Sequence, residues 1–158
     1  MFDGIREYLH VRALGLKPCR IVETLKRNEP FEVSNFVRQV FPTVDDAFNW
    51  VVAHLQYVRE DRDYWQTPFE TLMRLAGDCE DGAILLAALF RQIVPDPWKV
   101  FVYVFERPAH AVVVYDGRVF DWTNPSLKEI PGDWRFWYCF NHHRAYTTKE
   151  NLAKWRKS

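Results

Sequence analysis

The sequence predicts a single α+β domain in which a helical layer comes before an antiparallel β-sheet. The chain has 158 residues, a length that suits one domain, and we expect that domain to span residues 1–158. Apolar residues recur at helical spacing in the first half of the sequence, whereas β-branched and aromatic runs follow Pro97. With 48% hydrophobic and 27% charged residues, the chain has enough apolar material for a packed core.

Residues 1–60 are predicted to be mainly helical. A first helix is indicated by apolar residues near helical spacing, namely Ile5, Tyr8, Leu9 and Leu16. A short second helix is expected over residues 20–27. Thr43 is typical of an N-cap, and Asp46 at the third helical position would complete a capping box for the next helix.

Two further helices are predicted on either side of Gly77. Thr67, which is followed by proline, is typical of a helix start, and Glu70 should reach back to this cap. That helix should end at Gly77, which can take the left-handed conformation found at helix ends. Asp78 would then cap another helix, whose apolar residues 83–90 indicate extensive burial.

Four strands are predicted in the second half of the sequence, at residues 100–105, 110–115, 118–122 and 134–140. Asp116-Gly117, between the second and third of these, is typical of a type I′ hairpin turn. Thr147 should cap a final helix, with Glu150 completing the capping box. This order of elements favours an antiparallel sheet after the helices.

Cys79 is the first candidate for chemistry because it would occupy the first position of a buried helix. Unpaired backbone N–H groups and the helix dipole favour a thiolate there, and a thiolate can attack a carbonyl carbon. The alternative is that Cys79 is simply a small buried hydrophobic residue. The carboxylates of Asp78, Glu80 and Asp81 oppose ionisation of the thiol unless a positive group lies nearby.

His110 is the candidate for that positive group, and the predicted hairpin places it near Asp121. A two-residue turn pairs Tyr115 with Arg118, which puts His110 and Asp121 on one face of the sheet as diagonal neighbours. Their Cβ atoms would lie about 7 Å apart or less, so the carboxylate could orient the imidazole. Taken singly, His110 could be a structural histidine and Asp121 a turn residue. A register shift of one residue would separate them.

The candidate residues lie in three separated segments, WQTPFETLMRLAGDCEDGAILLAALF, AHAVVVYDG and VFDWTN. Together these segments resemble the transglutaminase-like cysteine-peptidase superfamily, most closely its bacterial transglutaminase-like cysteine proteinases. The resemblance covers about residues 45–125. It implies a transglutaminase-like or papain-like core, in which the cysteine-bearing helix packs on an antiparallel β-sheet.

The resemblance also implies roles for the candidate residues. Cys79 would be the nucleophile, His110 the base and acid, and Asp121 the orienting carboxylate. The implied reaction is attack on a peptide or side-chain amide, giving a thioester that water or an amine resolves. The backbone N–H of Cys79 is a natural oxyanion donor, and Trp65 or Gln66 is a candidate side-chain donor.

No cofactor is required by this chemistry, but calcium is a candidate. Some bacterial members of the family bind calcium through acidic residues beside the cysteine, and Asp78 and Glu80 match those positions. Calcium would also offset the carboxylates that oppose the thiolate. The alternative is that Asp78 caps the helix and Glu80 complements its dipole.

The sequence offers less support for other kinds of site than for the cysteine site. Cys139, His142 and His143 form a Cys-x-x-His-His cluster, but zinc sites of this kind need a second ligand pair, and Cys139 is more simply strand core. Equal numbers of basic and acidic residues, 21 of each, argue against nucleic-acid binding, although an aromatic strand and a basic C-terminal helix keep that alternative open. A catalytically silent domain that binds a peptide or protein is the other alternative.

Composition also bears on location. The longest apolar run, residues 83–90, is far shorter than the roughly 20 residues that cross a membrane, so no membrane span is expected. Three cysteines are a sparse set, typical of reduced thiols, and the N-terminal residues do not form an apolar export signal. We therefore expect a cytoplasmic protein with a peptide or protein substrate.

Overall fold

The computed structural model describes residues 5–7, 34–59, 61, 64–142 and 144–157. Its main feature is a six-stranded antiparallel sheet in the order β1-β8-β7-β4-β5-β6. The strands of this sheet are β1 (Ile5–Glu7), β4 (Phe101–Arg107), β5 (His110–Tyr115), β6 (Arg118–Phe120), β7 (Arg135–Phe140) and β8 (Ala145–Thr148). Two short strands, β2 (Gln56–Tyr57) and β3 (Ala76–Gly77), form a separate parallel pair.

In the described part of the chain, four helices lie between β1 and β4, and a fifth follows β8. They are α1 (Ser34–Val40), α2 (Val44–His54), α3 (Pro68–Arg74), α4 (Cys79–Ile93) and α5 (Lys149–Lys157), with a 3₁₀ turn at Pro97–Lys99. The predicted α+β class, with the cysteine-bearing helix packed on an antiparallel sheet, is confirmed. Among the described residues, no helix is long and apolar enough to cross a membrane.

The central helix α4 organises the core. Residues 81–90 of α4 are all buried, and they pack against α2 and against one face of the sheet. A second, smaller cluster that includes Val112, Tyr103 and Cys139 lies on the other face. Successive residues of a strand alternate between the two faces, which is why Val112 and Val113 belong to different clusters.

The hairpin forms as the sequence predicts. Asp116 and Gly117 both have positive φ, 50° and 70°, as a type I′ turn requires. The ladder pairs Tyr115 with Arg118 and Val113 with Phe120, which is the predicted register. Strand β6 ends at Phe120, so Asp121 follows the strand directly rather than extending it.

The helix starts are confirmed in part. Thr43 caps α2 in a capping box with Asp46, and Thr67 caps α3 with proline at the first position. Glu70 does not reach back to that cap, however. Its carboxylate instead accepts hydrogen bonds from the Tyr64 hydroxyl at 2.9 and 3.0 Å.

The predicted end of α3 at Gly77 is wrong. The helix ends at Arg74, and Leu75 takes the left-handed conformation, with φ at 51°. Gly77 lies in β3 and is needed for a different reason, since a Cβ there would lie 2.6 Å from the Cβ of Asp81. Glycine at this position allows a close approach of two chain segments rather than a left-handed turn.

The two ends of the chain also differ from the prediction. Ile5–Glu7 forms β1, which pairs with β8, rather than part of a helix. The rest of the predicted first helix and the helix expected over residues 20–27 lie outside the described residues. The N-cap of the final helix is one residue later than predicted, because the Thr148 hydroxyl accepts the N–H of Asn151, whereas Thr147 is buried in β8.

Candidate active site

Cys79 is the first residue of α4 and is half-buried beside the core. Its thiol donates to Glu80 Oε2 at 3.1 Å. The backbone N–H of Ala111, the neighbour of His110 on β5, donates to the same sulfur. The thiol therefore lies against the strand that carries the candidate base.

A buried carboxylate fixes the loop that leads into Cys79. Asp81 is fully buried. One of its oxygens accepts the Gln66 backbone N–H at 2.8 Å, and the other accepts Gln66 Nε2 at 3.0 Å and the Asp78 N–H at 3.2 Å. Asp81 thus ties the residue before the cysteine to the segment that precedes α3.

These contacts correct the assignment of Gln66 as an oxyanion donor. Its side-chain amide donates to Asp81 and to the carbonyl of Ala76, so both N–H groups are used inside the protein. Trp65 packs its ring 6.0 Å from that of Phe140 in the core. Neither is among the described residues that line the cleft at Cys79. The backbone N–H of Cys79, in the first turn of its helix and unpaired within that helix, stays the predicted oxyanion donor.

His110 and Asp121 are directly hydrogen-bonded. The distance between His110 Nε2 and Asp121 Oδ2 is 2.6 Å, and Asp121 is only 2% exposed. The other carboxylate oxygen accepts the backbone N–H of Thr123 at 3.0 Å and its hydroxyl at 2.7 Å. The predicted proximity of the two side chains is therefore confirmed, and their roles in catalysis stay predictions.

Hydrogen bonds keep the Asp121 carboxylate ionised despite its burial. Burial alone would raise the pKa of Asp121, but hydrogen bonds from His110 and Thr123 outweigh it, so the pKa is lowered. The Trp134 ring packs edge-on against the imidazole, with centroids 5.4 Å apart. The ring of His110 thus contacts both Asp121 and Trp134.

Cys79 and His110 line one cleft of about 540 Å³. Its other walls are Val52, Leu55, Tyr57, Ala109, Trp122 and Thr123. The indole N–H of Trp122 donates to the carbonyl of Cys79 at 3.2 Å. Gly82 allows this approach, since a Cβ there would lie 2.1 Å from Trp122 Nε1.

Sequence reasoning did not select Tyr57 or Trp122 as site residues. The position of Trp122 could be predicted from the strand pattern. It lies two residues beyond the core residue Phe120 and so faces the helices. Tyr57 reaches the cleft through the pairing of β2 with β3. That pairing joins two distant dipeptides, and local sequence patterns carry little information about such contacts.

The surroundings of Cys79 favour the neutral thiol. Burial raises the pKa of Cys79 well above its usual range, and the carboxylates of Glu80 and Asp78 raise it further. Burial, together with hydrogen bonding and charge from Asp78, raises the pKa of Glu80 to about 8. Asp78, and Glu80 whenever it is ionised, therefore act against the thiolate.

The same residues form a potential cation site. Asp78, Cys79 and Glu80 place their ligand atoms within 4.8 Å of one another. Asp78 Oδ1 is buried and has no hydrogen-bond partner among the described residues. Carboxylate oxygens suit calcium, whereas a thiol is too soft to be preferred by it. The two carboxylates thus fit a hard cation beside the thiol.

The described residues do not assemble the alternative zinc site. Cys139 is buried in β7, where burial raises its pKa to about 12. His142 stacks on the ring of Trp98, and His143 lies outside the described residues. Among the described residues, Cys139 and His142 do not join a group of ligands close enough to share an ion.

Solved structures with the same fold were found, although no protein-family model and no curated protein matches the sequence. Legionella pneumophila LapG is similar with a TM-score of 0.59 and 19% identity, over 86% of this chain and 94% of LapG. The calcium-bound form of LapG gives a TM-score of 0.56 at 17% identity, over 87% of this chain and 95% of LapG.

A second similar protein is a candidate cysteine protease from Cytophaga hutchinsonii. Its TM-score is 0.53 at 17% identity, over 81% of this chain and 49% of that one. At these identities the likeness establishes the fold alone. The chain shares its fold with LapG and with this candidate cysteine protease.

Proposed function

We propose that this protein is a cysteine hydrolase that cleaves peptide or side-chain amide bonds through a thioester on Cys79. The observation that carries the proposal is the 2.6 Å hydrogen bond between His110 and Asp121, beside a cleft that His110 shares with Cys79. A cysteine-protease fold in the similar structures supports the same class of chemistry.

The reaction divides into two steps. Cys79 Sγ attacks the carbonyl carbon of the amide while His110 takes the thiol proton, and the oxyanion is stabilised by the backbone N–H of Cys79. His110 then gives the proton to the departing amine, which leaves a thioester. Water, activated by His110, attacks the thioester, and the carboxylic acid departs as the thiol is restored. Asp121 keeps the imidazole in the required orientation throughout.

Calcium at Asp78 and Glu80 is part of the proposal. Bound there, calcium would neutralise the carboxylates that hold the Cys79 pKa high. Asp78 Oδ1, which is buried and has no hydrogen-bond partner among the described residues, supports this assignment, as does the existence of a calcium-bound form of the similar LapG. The carboxylates would also keep their roles at the start of α4.

A catalytically silent domain that binds a peptide is the second candidate. One observation favours it, because the Cys79 thiol donates to Glu80 and is therefore held protonated in the metal-free protein. The first candidate predicts bond cleavage that requires the Cys79 sulfur, whereas the second predicts no cleavage.

A peptide library tests the proposal directly. The protein is incubated with calcium and a library of peptides from a digested proteome, with and without a primary amine, and products are identified by mass spectrometry. We expect new termini or hydrolysed side-chain amides that disappear in Cys79→Ala. Amine-linked products would identify transfer instead of hydrolysis. Identical product sets from the protein and Cys79→Ala would make the proposal wrong.

A further inference from the structure

We infer that the cleft takes an extended polypeptide segment, whose main chain pairs with the outer edge of β2 at Tyr57. This inference rests on the proposed function, because it describes how a peptide reaches Cys79. It specifies the substrate as unfolded chain recognised through backbone groups, rather than a small amide or a folded surface.

The hydrogen bonds of β2 leave one residue facing outward. The backbone N–H of Gln56 donates to the carbonyl of Leu75, and that of Val58 donates to the carbonyl of Gly77, each at 2.9 Å. Successive residues of a strand direct their backbone groups to opposite sides, so the N–H and C=O of Tyr57 point away from β3. In the part of the chain that the structure describes, no backbone hydrogen bond reaches them.

This outward edge is accessible and adjoins the cleft. Tyr57 is 52% exposed, and it lines the cleft together with Cys79. Its ring lies 6.0 Å from that of Trp122, whose indole holds the Cys79 carbonyl. A peptide strand on this edge would therefore lie next to the reacting groups.

The distance from Tyr57 to the nucleophile suits a short extended peptide. Tyr57 pairs with Gly77, about 4.8 Å away across the strands. Cys79 follows Gly77 by two peptide units, at most about 7.6 Å. Tyr57 and Cys79 are thus no more than about 12 Å apart, and a strand on the outer edge of β2 lies about 4.8 Å farther from β3. The peptide strand is therefore at most about 17 Å from Cys79, a distance that about five extended residues span at about 3.3 Å each.

The walls of the cleft indicate what the side chains of that peptide must be. Val52 and Leu55 are apolar, and the described lining residues carry no permanent charge. Pairing through the main chain supplies affinity without a charged anchor. The segment must offer a free N–H and C=O to Tyr57, so proline is excluded at the paired position.

N-methylated inhibitors provide the test. A series of short apolar peptide acyloxymethyl ketones carries one N-methyl group at each amide in turn. The rate of covalent labelling of Cys79 is measured with calcium present for three proteins: wild type, Tyr57→Val and Tyr57→Pro. The valine variant keeps the outward N–H and loses the ring. The proline variant also loses the N–H but spares the β2–β3 bonds, which belong to Gln56 and Val58.

We expect methylation of one amide to slow labelling of wild type and Tyr57→Val about tenfold, the size of a lost hydrogen bond. Tyr57→Pro should label slowly with every inhibitor, and the same methylation should then cost little, because proline blocks strand addition at an edge. Equal sensitivity in all three proteins, or a flat series in wild type, would overturn the inference. If Tyr57→Pro fails to fold, the wild-type and Tyr57→Val series decide.

Iodoacetamide separates the two possible failures, because it alkylates a thiolate without needing strand pairing. Rapid alkylation of Cys79 with a flat methylation series would overturn the binding mode and leave the proposed function standing. A Cys79 that is inert to both iodoacetamide and the peptide ketones would overturn both.

Discussion

At the scale of single residues, Asp121 shows how local hydrogen bonds set the state of a buried acid. Burial raises its pKa, yet the bonds from His110 and Thr123 lower it further than burial raises it. The folded-state pKa is thus below the unfolded value of about 3.9. A carboxylate of this kind stabilises the fold above that value and loses its contribution as the pH falls through the folded-state pKa.

Asp121→Asn should therefore make stability less sensitive to acid. The wild type should lose unfolding free energy below about pH 4 more steeply than the variant, because only the wild type must protonate this carboxylate. Urea denaturation across that pH range measures the difference. Parallel stability profiles for the two proteins would contradict the account of Asp121.

The proposed calcium site gives a second prediction at the scale of single side chains. Calcium should raise the melting temperature of the wild type, since a ligand present at about 100 times its Kd stabilises by about 2.7 kcal/mol. Glu80→Gln should abolish most of this shift. Glu150→Gln, an exposed acid on α5, is the matched control and should retain it. Melting curves that do not respond to calcium, or that respond equally in Glu80→Gln, would refute the site.

At the scale of elements, the start of α4 depends on close contacts that only glycine permits. Gly82 lets the Trp122 indole reach the Cys79 carbonyl, and Gly77 makes room for Asp81. The contact at Gly82 joins the cysteine helix to the residue after Asp121, whereas the contact at Gly77 joins β3 to the same helix. The approach of α4 to the segment after Asp121 thus relies on the absence of a side chain at Gly82.

Gly82→Ala tests this reliance. The added Cβ would collide with Trp122, so we expect a loss of about 1–3 kcal/mol in unfolding free energy. Gly132→Ala is the control, because a Cβ there has no atom within 4 Å among the described residues and φ is not positive. Urea denaturation compares the two variants. Equal stabilities would show that the Trp122 contact does not constrain α4.

The same elements show which parts of the structure the sequence could predict. The turn at Asp116-Gly117 and the cap at Thr43 depend only on residues close by in the sequence. Local sequence patterns are therefore enough to predict both. The end of α3 was mispredicted because Gly77 serves a contact with Asp81, which lies on the next helix. Gln66 was assigned to the oxyanion because nothing in its sequence neighbourhood shows that Asp81 binds its amide.

At the scale of the whole molecule, the site forms where the helical layer meets the sheet. Cys79 comes from the start of α4, His110 from the start of β5, and Asp121 from the residue after β6. The hairpin brings the last two together, so their contact was predictable from register. That Cys79 faces them was implied by the family resemblance, because periodicity does not fix how a helix packs on a sheet.

The pairing of strands from the two ends of the chain could not be predicted from local sequence patterns. Strand β1 pairs with β8 although more than 130 residues separate them. The short strand β8 has no turn signal that distinguishes it from the loop before α5. Its position is fixed by contacts with β7, among them the hydrogen bond from the Thr147 hydroxyl to the carbonyl of Trp137.

The alkylation rate of each cysteine shows whether His110 activates Cys79. Iodoacetamide labelling from about pH 5 to 9, with calcium present, is quantified by peptide mass spectrometry, with buried Cys139 as the internal control. The account predicts that Cys79 reacts rapidly well below the ordinary thiol pKa of about 8.5 and loses this reactivity in His110→Ala. A Cys79 that reacts no faster than Cys139, or equally fast in His110→Ala, would contradict it.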